Sequence, residues 1–192
     1  KVKDITARDI WIARSRIAPY VTKTPLVYSH TLSEMTGANI YLKLENLQEI
    51  GAFKVRGAAN KILSLPEGSR KAGVSTFSTG NHGAAVAYIS SKLGIPAIVC
   101  MSRHVPEVKV KNIARWGAKI LQNWDSQDDA GVYCYEMERE QGITVIPPFD
   151  DKEIICGQAT MALEIVEDLP KVDTVLVPLS GGGLISGVTL GM

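Results

Sequence analysis

From Gly73 onward the chain alternates between short β-prone runs and helix-forming stretches, and no other feature narrows the fold as much. Residues 74–78, 97–101, 119–123 and 144–146 read as strands, and 83–93, 106–116 and 126–141 as the helices between them. Pro106 suits a first helical turn. Gly94, Gly117 and Gly142 fall just past helix ends, where a left-handed residue is wanted. Repeated β–α–β units predict an α/β fold, a twisted parallel sheet with helices on both faces. Upstream, residues 4–18 read as a helix capped by Thr6 or Asp4, with Ile10, Trp11, Arg14 and Ile17 at helical spacing. Pro19 and Pro25 impose a more extended path. A short helix over 32–36 closes at Gly37, a strand spans 40–44, a helix runs from Lys54 to about 63, and Pro66-Glu67-Gly68-Ser69 reads as a linker. A helix from Ile154 to about 169 precedes a buried strand over 174–179.

Composition excludes several function classes. The 21 basic and 20 acidic residues leave a net charge of +1, which makes no electrostatic case for nucleic acid or a membrane surface. Apolar runs such as 95–101 are too short to span a bilayer. Cys100, Cys134 and Cys156 are an odd count without Cys-x-x-Cys spacing, so buried thiols in a reducing cytoplasm are expected.

Three segments carry chemistry. In Gly51-Ala52-Phe53-Lys54-Val55-Arg56-Gly57-Ala58, Lys54 falls in the first turn of a helix. The positive end of the helix dipole and a neighbouring phenylalanine both disfavour an ammonium there. A free amine at neutral pH forms Schiff bases with aldehydes. In Ser78-Thr79-Gly80-Asn81-His82-Gly83 a strand ends in a polar, glycine-punctuated turn before a helix. Its glycines let the backbone approach a ligand, and helix-start N–H groups favour an anion such as a carboxylate. In Ser180-Gly181-Gly182-Gly183-Leu184 consecutive glycines join a strand to an apolar helix and form a nest of N–H groups suited to phosphate. Neither a Walker A loop nor a Gly-x-Gly-x-x-Gly fingerprint is present.

Taken in this order, these motifs resemble those of the fold-type II pyridoxal-phosphate enzymes, and within them the threonine/serine dehydratase and serine racemase branch. Lys43-Leu44-Glu45-Asn46, Pro147-Pro148-Phe149-Asp150-Asp151 and Gly157-Gln158-Ala159-Thr160 fit the same branch, and the likeness runs from about Pro25 to Met192. The resemblance implies pyridoxal 5'-phosphate held covalently by Lys54, with Phe53 beside its ring and Asn81 near its phenolic oxygen. It implies a phosphate site at Ser180, Gly181, Gly182, Gly183 and Leu184, and a substrate carboxylate held by Ser78, Thr79, Gly80, Asn81 and His82. It also implies two domains: a small one over 73–148 inserted into a larger one formed by 1–72 and 149–192, with the site in the cleft between them. The chain is shorter than members of that branch, so the resemblance implies C-terminal truncation, with part of the large domain and the partner of the cofactor's pyridine nitrogen missing.

Departures bear on the reaction. Ala52 stands where the family usually has serine, and Ser180 where it usually has glycine. At Thr79 racemases place a serine that acts as base on the face opposite the lysine. Threonine keeps the hydroxyl and adds a methyl. The implied function is a hydroxy-amino-acid ammonia-lyase, in which Lys54 removes the Cα proton and β-elimination yields a 2-oxo acid and ammonia. The alternatives are a serine or aspartate racemase with Thr79 as second base, and a non-catalytic cofactor-binding or regulatory chain. A homodimer is the family expectation for assembly. The His82 side chain is expected to pack against the helix start, and Arg56 to form a salt bridge. His30 and His104 read as surface residues, the tryptophans as packing residues, and Asp150-Asp151 as solvated, with no metal site.

Overall fold

The computed structural model describes residues 5–192. Helix α1 (Ala7–Ile17) opens on a capping box: the Thr6 hydroxyl accepts from the Asp9 N–H, and the Asp9 carboxylate accepts from the Thr6 N–H. Asp4, the other expected cap, lies outside the described residues. Ile10, Ala13 and Ile17 form the buried face. Trp11 does not pack as expected. It sits about 100° round the helix from Ile10, is 49% exposed, and carries the Arg14 guanidinium 5.0 Å above its ring.

Strand β1 (Leu26–Tyr28) and strand β2 (Tyr41–Lys43) pair antiparallel around α2 (His30–Thr36), which ends at Gly37 in the left-handed region. β1 escapes the sequence reading because Leu26-Val27-Tyr28 is an unbroken apolar run with no alternation. Helix α3 (Lys54–Ser64) follows a 3-10 turn at Glu45–Leu47. Where a linker was expected, residues Glu67–Ala72 form α4. Pro66 leads into it at a φ of −55°, and Glu67 at its start with Arg70 and Lys71 at its end match the dipole.

Next comes the alternating region, and here the expected architecture is present. Strands β3 (Val74–Phe77), β4 (Ala97–Ser102), β5 (Lys119–Trp124) and β6 (Thr144–Val145) form a parallel sheet in the order β5-β4-β3-β6. Helices α5 (Asn81–Leu93), α6 (Glu107–Ala114) and α7 (Gln127–Gln141) connect them. Side chains alternate across β4: Val99 and Met101 pack with Ala84, Ala87 and Ile113, whereas Cys100 packs with Ala130, Cys134 and Met137 of α7. Gly94, Gly117 and Gly142 all have positive φ, as their positions after helices predict.

Helix α8 (Lys152–Asp168) packs against α1, α3 and α9 (Gly183–Gly191). Residues 174–179 depart from expectation. They run without a partner strand among the described residues, and Leu176 and Leu179 are 88% and 71% exposed. A hydrophobic run becomes a strand only where another strand satisfies its N–H and C=O groups. Among the described residues no helix is long and apolar enough to cross a membrane.

An ionic network is buried between β2, the 3-10 turn, α3 and α8. Arg56, 1% exposed, reaches Glu45 at 2.8 Å and Glu164 at 2.7 Å, and Lys43 reaches Glu164 at 2.6 Å. Burial alone would raise the Glu45 pKa; the Arg56 guanidinium overrides it and holds the carboxylate below its usual range. Arg56 therefore forms its expected salt bridge, but in the interior.

Candidate active site

Lys54 is the first residue of α3, and Phe53 caps that helix without a side-chain hydrogen bond. Its Nζ donates to the Pro148 carbonyl at 2.6 Å. Burial lowers the amine's pKa from the ordinary lysine value, the direction that the sequence context predicts.

The turn after β3 brings Ser78, Thr79, Gly80, Asn81 and His82 to the start of α5. The Gly80 N–H donates to Ser78 Oγ at 3.3 Å, and a side chain at Gly80 would enter open space. Gly83 has a different role from the expected close approach to a ligand. A Cβ there would lie 2.8 Å from the Ser78 carbonyl and 3.2 Å from Val99, so it lets α5 sit against the sheet. The His82 ring is buried, and its Nε2 lies 3.0 Å from the Ile146 carbonyl. A carbonyl can only accept, so Nε2 carries the proton. Nδ1 has no partner among the described residues. Burial first, then the nearby Lys54 charge, pushes the His82 pKa down to about 4, against the Ile146 hydrogen bond, which favours the charged form. His82 is thus neutral at pH 7.

Gly182 has φ of +85° and caps α9, which no side chain caps. That left-handed residue turns the chain so that backbone N–H groups of the first helical turn are left for an anion. Gly181 and Gly183 press against Phe149, with whose ring a Cβ at Gly181 would collide.

One cavity of about 750 Å³ brings the motifs together. Its walls include Phe53 and Lys54, then Ser78, Asn81 and His82, then Ser180, Gly181, Gly182, Gly183 and Leu184. Thr79 and Gly80 belong to the same turn but are not in that wall. Pro148 and Phe149 are, and the sequence reading gave them no role. A backbone carbonyl has no residue-type signature, and the only signal was the Pro-Pro-Phe string itself. A half-buried amine of lowered pKa facing an uncapped helix start fits an aldehyde that also carries a phosphate, as pyridoxal phosphate does. A second cavity of similar size, between β2 and residues 172–178, is walled mainly by aliphatic side chains.

A family profile described as "Pyridoxal-phosphate dependent enzyme" matches residues 17–192. The chain is 45% identical to an L-threonine ammonia-lyase of Thermotoga maritima, over 97% of this chain and 46% of that protein. It is 43% identical to a serine racemase of Oryza sativa subsp. indica, over 93% of this chain and 52% of that one. The structure of maize serine racemase superposes with a TM-score of 0.93 at 41% identity, covering 97% of this chain and 56% of that one. The chain thus spans about half the length of the relatives it matches. Motif order, cavity and these likenesses agree: the chain belongs to the pyridoxal-phosphate dependent enzymes of fold type II.

Proposed function

We propose that the protein is a hydroxy-amino-acid ammonia-lyase that converts a serine- or threonine-like substrate to a 2-oxo acid and ammonia. The observation that carries this reading is the half-buried Lys54 amine, of lowered pKa, in one cavity with an uncapped, glycine-opened helix start. Lys54 would hold the cofactor covalently, with Phe53 and Asn81 beside it, and Ser180, Gly181, Gly182, Gly183 and Leu184 would receive its phosphate. When bound, pyridoxal phosphate supplies an electron sink for the pair released at Cα. The turn of Ser78, Thr79, Gly80, Asn81 and His82 would hold the substrate carboxylate, with N–H groups at the start of α5 among its donors, and so would orient the Cα–H bond toward Lys54. Once the substrate amine displaces it from the cofactor, Lys54 Nζ, whose neutral form burial favours, would remove the Cα proton. In this reading residues 73–148 form the small domain, with 1–72 and 149–192 in the larger one. The protein works in the cytoplasm as a homodimer.

Elimination needs one base and racemisation needs two, on opposite faces. The likeness to serine racemases supports the second reading, with Thr79 as the other base. The β-branching of Thr79, which restricts χ1 and so where its hydroxyl can point, supports the first. The deciding experiment incubates the cofactor-loaded protein with L-serine and L-threonine, measuring 2-oxo acid release beside chiral analysis of the remaining amino acid. Oxo acid in excess over the D-enantiomer is expected. The D-enantiomer forming faster would replace the lyase reading with a racemase.

A further inference from the structure

The cavity wall holds a segment that the proposed chemistry does not use. After β6 the chain passes through Ile146, Pro147, Pro148 and Phe149 before Asp151 caps α8. Two prolines make this strap stiff, and they leave it no N–H of their own with which to tie it down. Its fastening lies just before them, at Ile146. The Ile146 N–H donates to the Ser75 carbonyl at 2.8 Å. The Ile146 carbonyl receives two side-chain donors, Thr76 Oγ1 at 2.8 Å and His82 Nε2 at 3.0 Å. Both donors are buried. An imidazole in the interior with one nitrogen unpartnered among the described residues is destabilising compared with an aliphatic side chain. Two buried polar groups thus converge on one backbone oxygen, and two residues further on the Pro148 carbonyl accepts from Lys54 Nζ at 2.6 Å.

We propose that His82 and Thr76 are positioning residues for Lys54: together they hold the Ile146 carbonyl, which fixes the 147–149 strap, and the strap holds the Lys54 amine through the Pro148 carbonyl. The inference rests on reading Lys54 as the cofactor-bearing lysine, and it gives the His82 side chain a task separate from the turn's backbone. Here the His82 ring acts through Ile146, while the backbone of the turn keeps the carboxylate role. The ring's effect passes through three consecutive residues, Ile146, Pro147 and Pro148, two of them proline.

The test uses His82→Leu, which removes the donor at similar volume, His82→Gln, whose amide can still donate, and Thr76→Val, which removes only the hydroxyl. The first measurement is trace acetylation of the cofactor-free protein with acetic anhydride, read by peptide mass spectrometry. It compares Lys54 with Lys71, whose side chain is 76% exposed, and with Lys43, whose side chain is 7% exposed. The second is the rate at which pyridoxal phosphate attaches to Lys54, trapped with borohydride. Loosening the strap exposes the amine yet misplaces it. His82→Leu and Thr76→Val should therefore raise the Lys54-to-Lys71 ratio about threefold or more, slow cofactor attachment about tenfold, and leave Lys43 unchanged. His82→Gln should match wild type in both measurements. General loosening of the fold would instead raise Lys43 together with Lys54. Lys54 labelling unchanged in both His82→Leu and Thr76→Val overturns the proposal. So does Lys43 rising in step with Lys54 in both, or His82→Gln behaving like His82→Leu. A wild-type protein that shows the labelling pattern but attaches no cofactor at Lys54 would sink the cofactor reading and leave the strap's role standing.

Discussion

At the scale of single residues, environment sets the chemistry. Lys54 is one of many basic residues in the chain, distinguished by burial that disfavours its charge and by its place in the cavity wall. Lys54→Ala should lower 2-oxo acid release by about a thousandfold or more, and abolish the borohydride-reducible cofactor band. A retained band would place the cofactor on another lysine. Thr79→Ala should leave elimination of the L-substrate within about threefold, because one base suffices for it. A parallel loss of D-enantiomer formation and of oxo acid would show that Thr79 serves both. His82 makes a different prediction. Its pKa falls from 6.5 to about 4 on folding. Between those values the unfolded chain binds a proton that the folded chain refuses, so stability declines as pH is lowered through that window. Full protonation removes on the order of 3 kcal/mol. Urea midpoints between pH 7 and pH 4 should show this decline in wild type, and a shallower one in His82→Gln.

Among elements, close approach between helices and sheet explains glycines that sequence reasoning gave to ligands. α5 lies on the sheet only because Gly83 has no Cβ to meet Ser78 and Val99. Gly83→Ala should destabilise the protein by about 1–3 kcal/mol through overpacking, seen as a lower thermal midpoint. An unchanged midpoint would mean that α5 shifts freely on the sheet. The glycines before α9 divide their duties. Gly182 supplies the left-handed turn, whereas Gly181 and Gly183 make room for Phe149. The loop thereby gains its shape from the strap that also holds Lys54.

In the molecule as a whole, the buried ionic network ties the Lys54 helix to its surroundings. Arg56 pairs with Glu45 and Glu164, and Lys43 pairs with Glu164, across segments distant in sequence. Arg56→Met would leave Glu45 without its guanidinium partner and Glu164 with only Lys43. A loss of about 3–5 kcal/mol is expected, since removing one member strands a buried charge. Chemical denaturation of the variant measures it directly, and a loss below about 1 kcal/mol would mean that water enters and solvates the carboxylates. Much of this organisation was legible in advance. The β–α–β alternation, the glycines after α5, α6 and α7, the capping by Thr6 and the order of the site motifs all follow from local periodicity and backbone preference, which one sequence carries. Other features were settled only by packing. Residues 174–179 have strand composition but no neighbouring strand among the described residues, and 66–69 have linker composition yet form the entry and first turn of α4. The Ile146 and Pro148 carbonyls that fasten His82 and Lys54 are backbone atoms common to nearly every residue type, so composition cannot mark them. Sequence by itself determined which residues could do the chemistry and which local shapes they prefer. The tertiary structure decided which backbone atoms they meet, because hydrogen bonds between distant segments depend on how the elements pack.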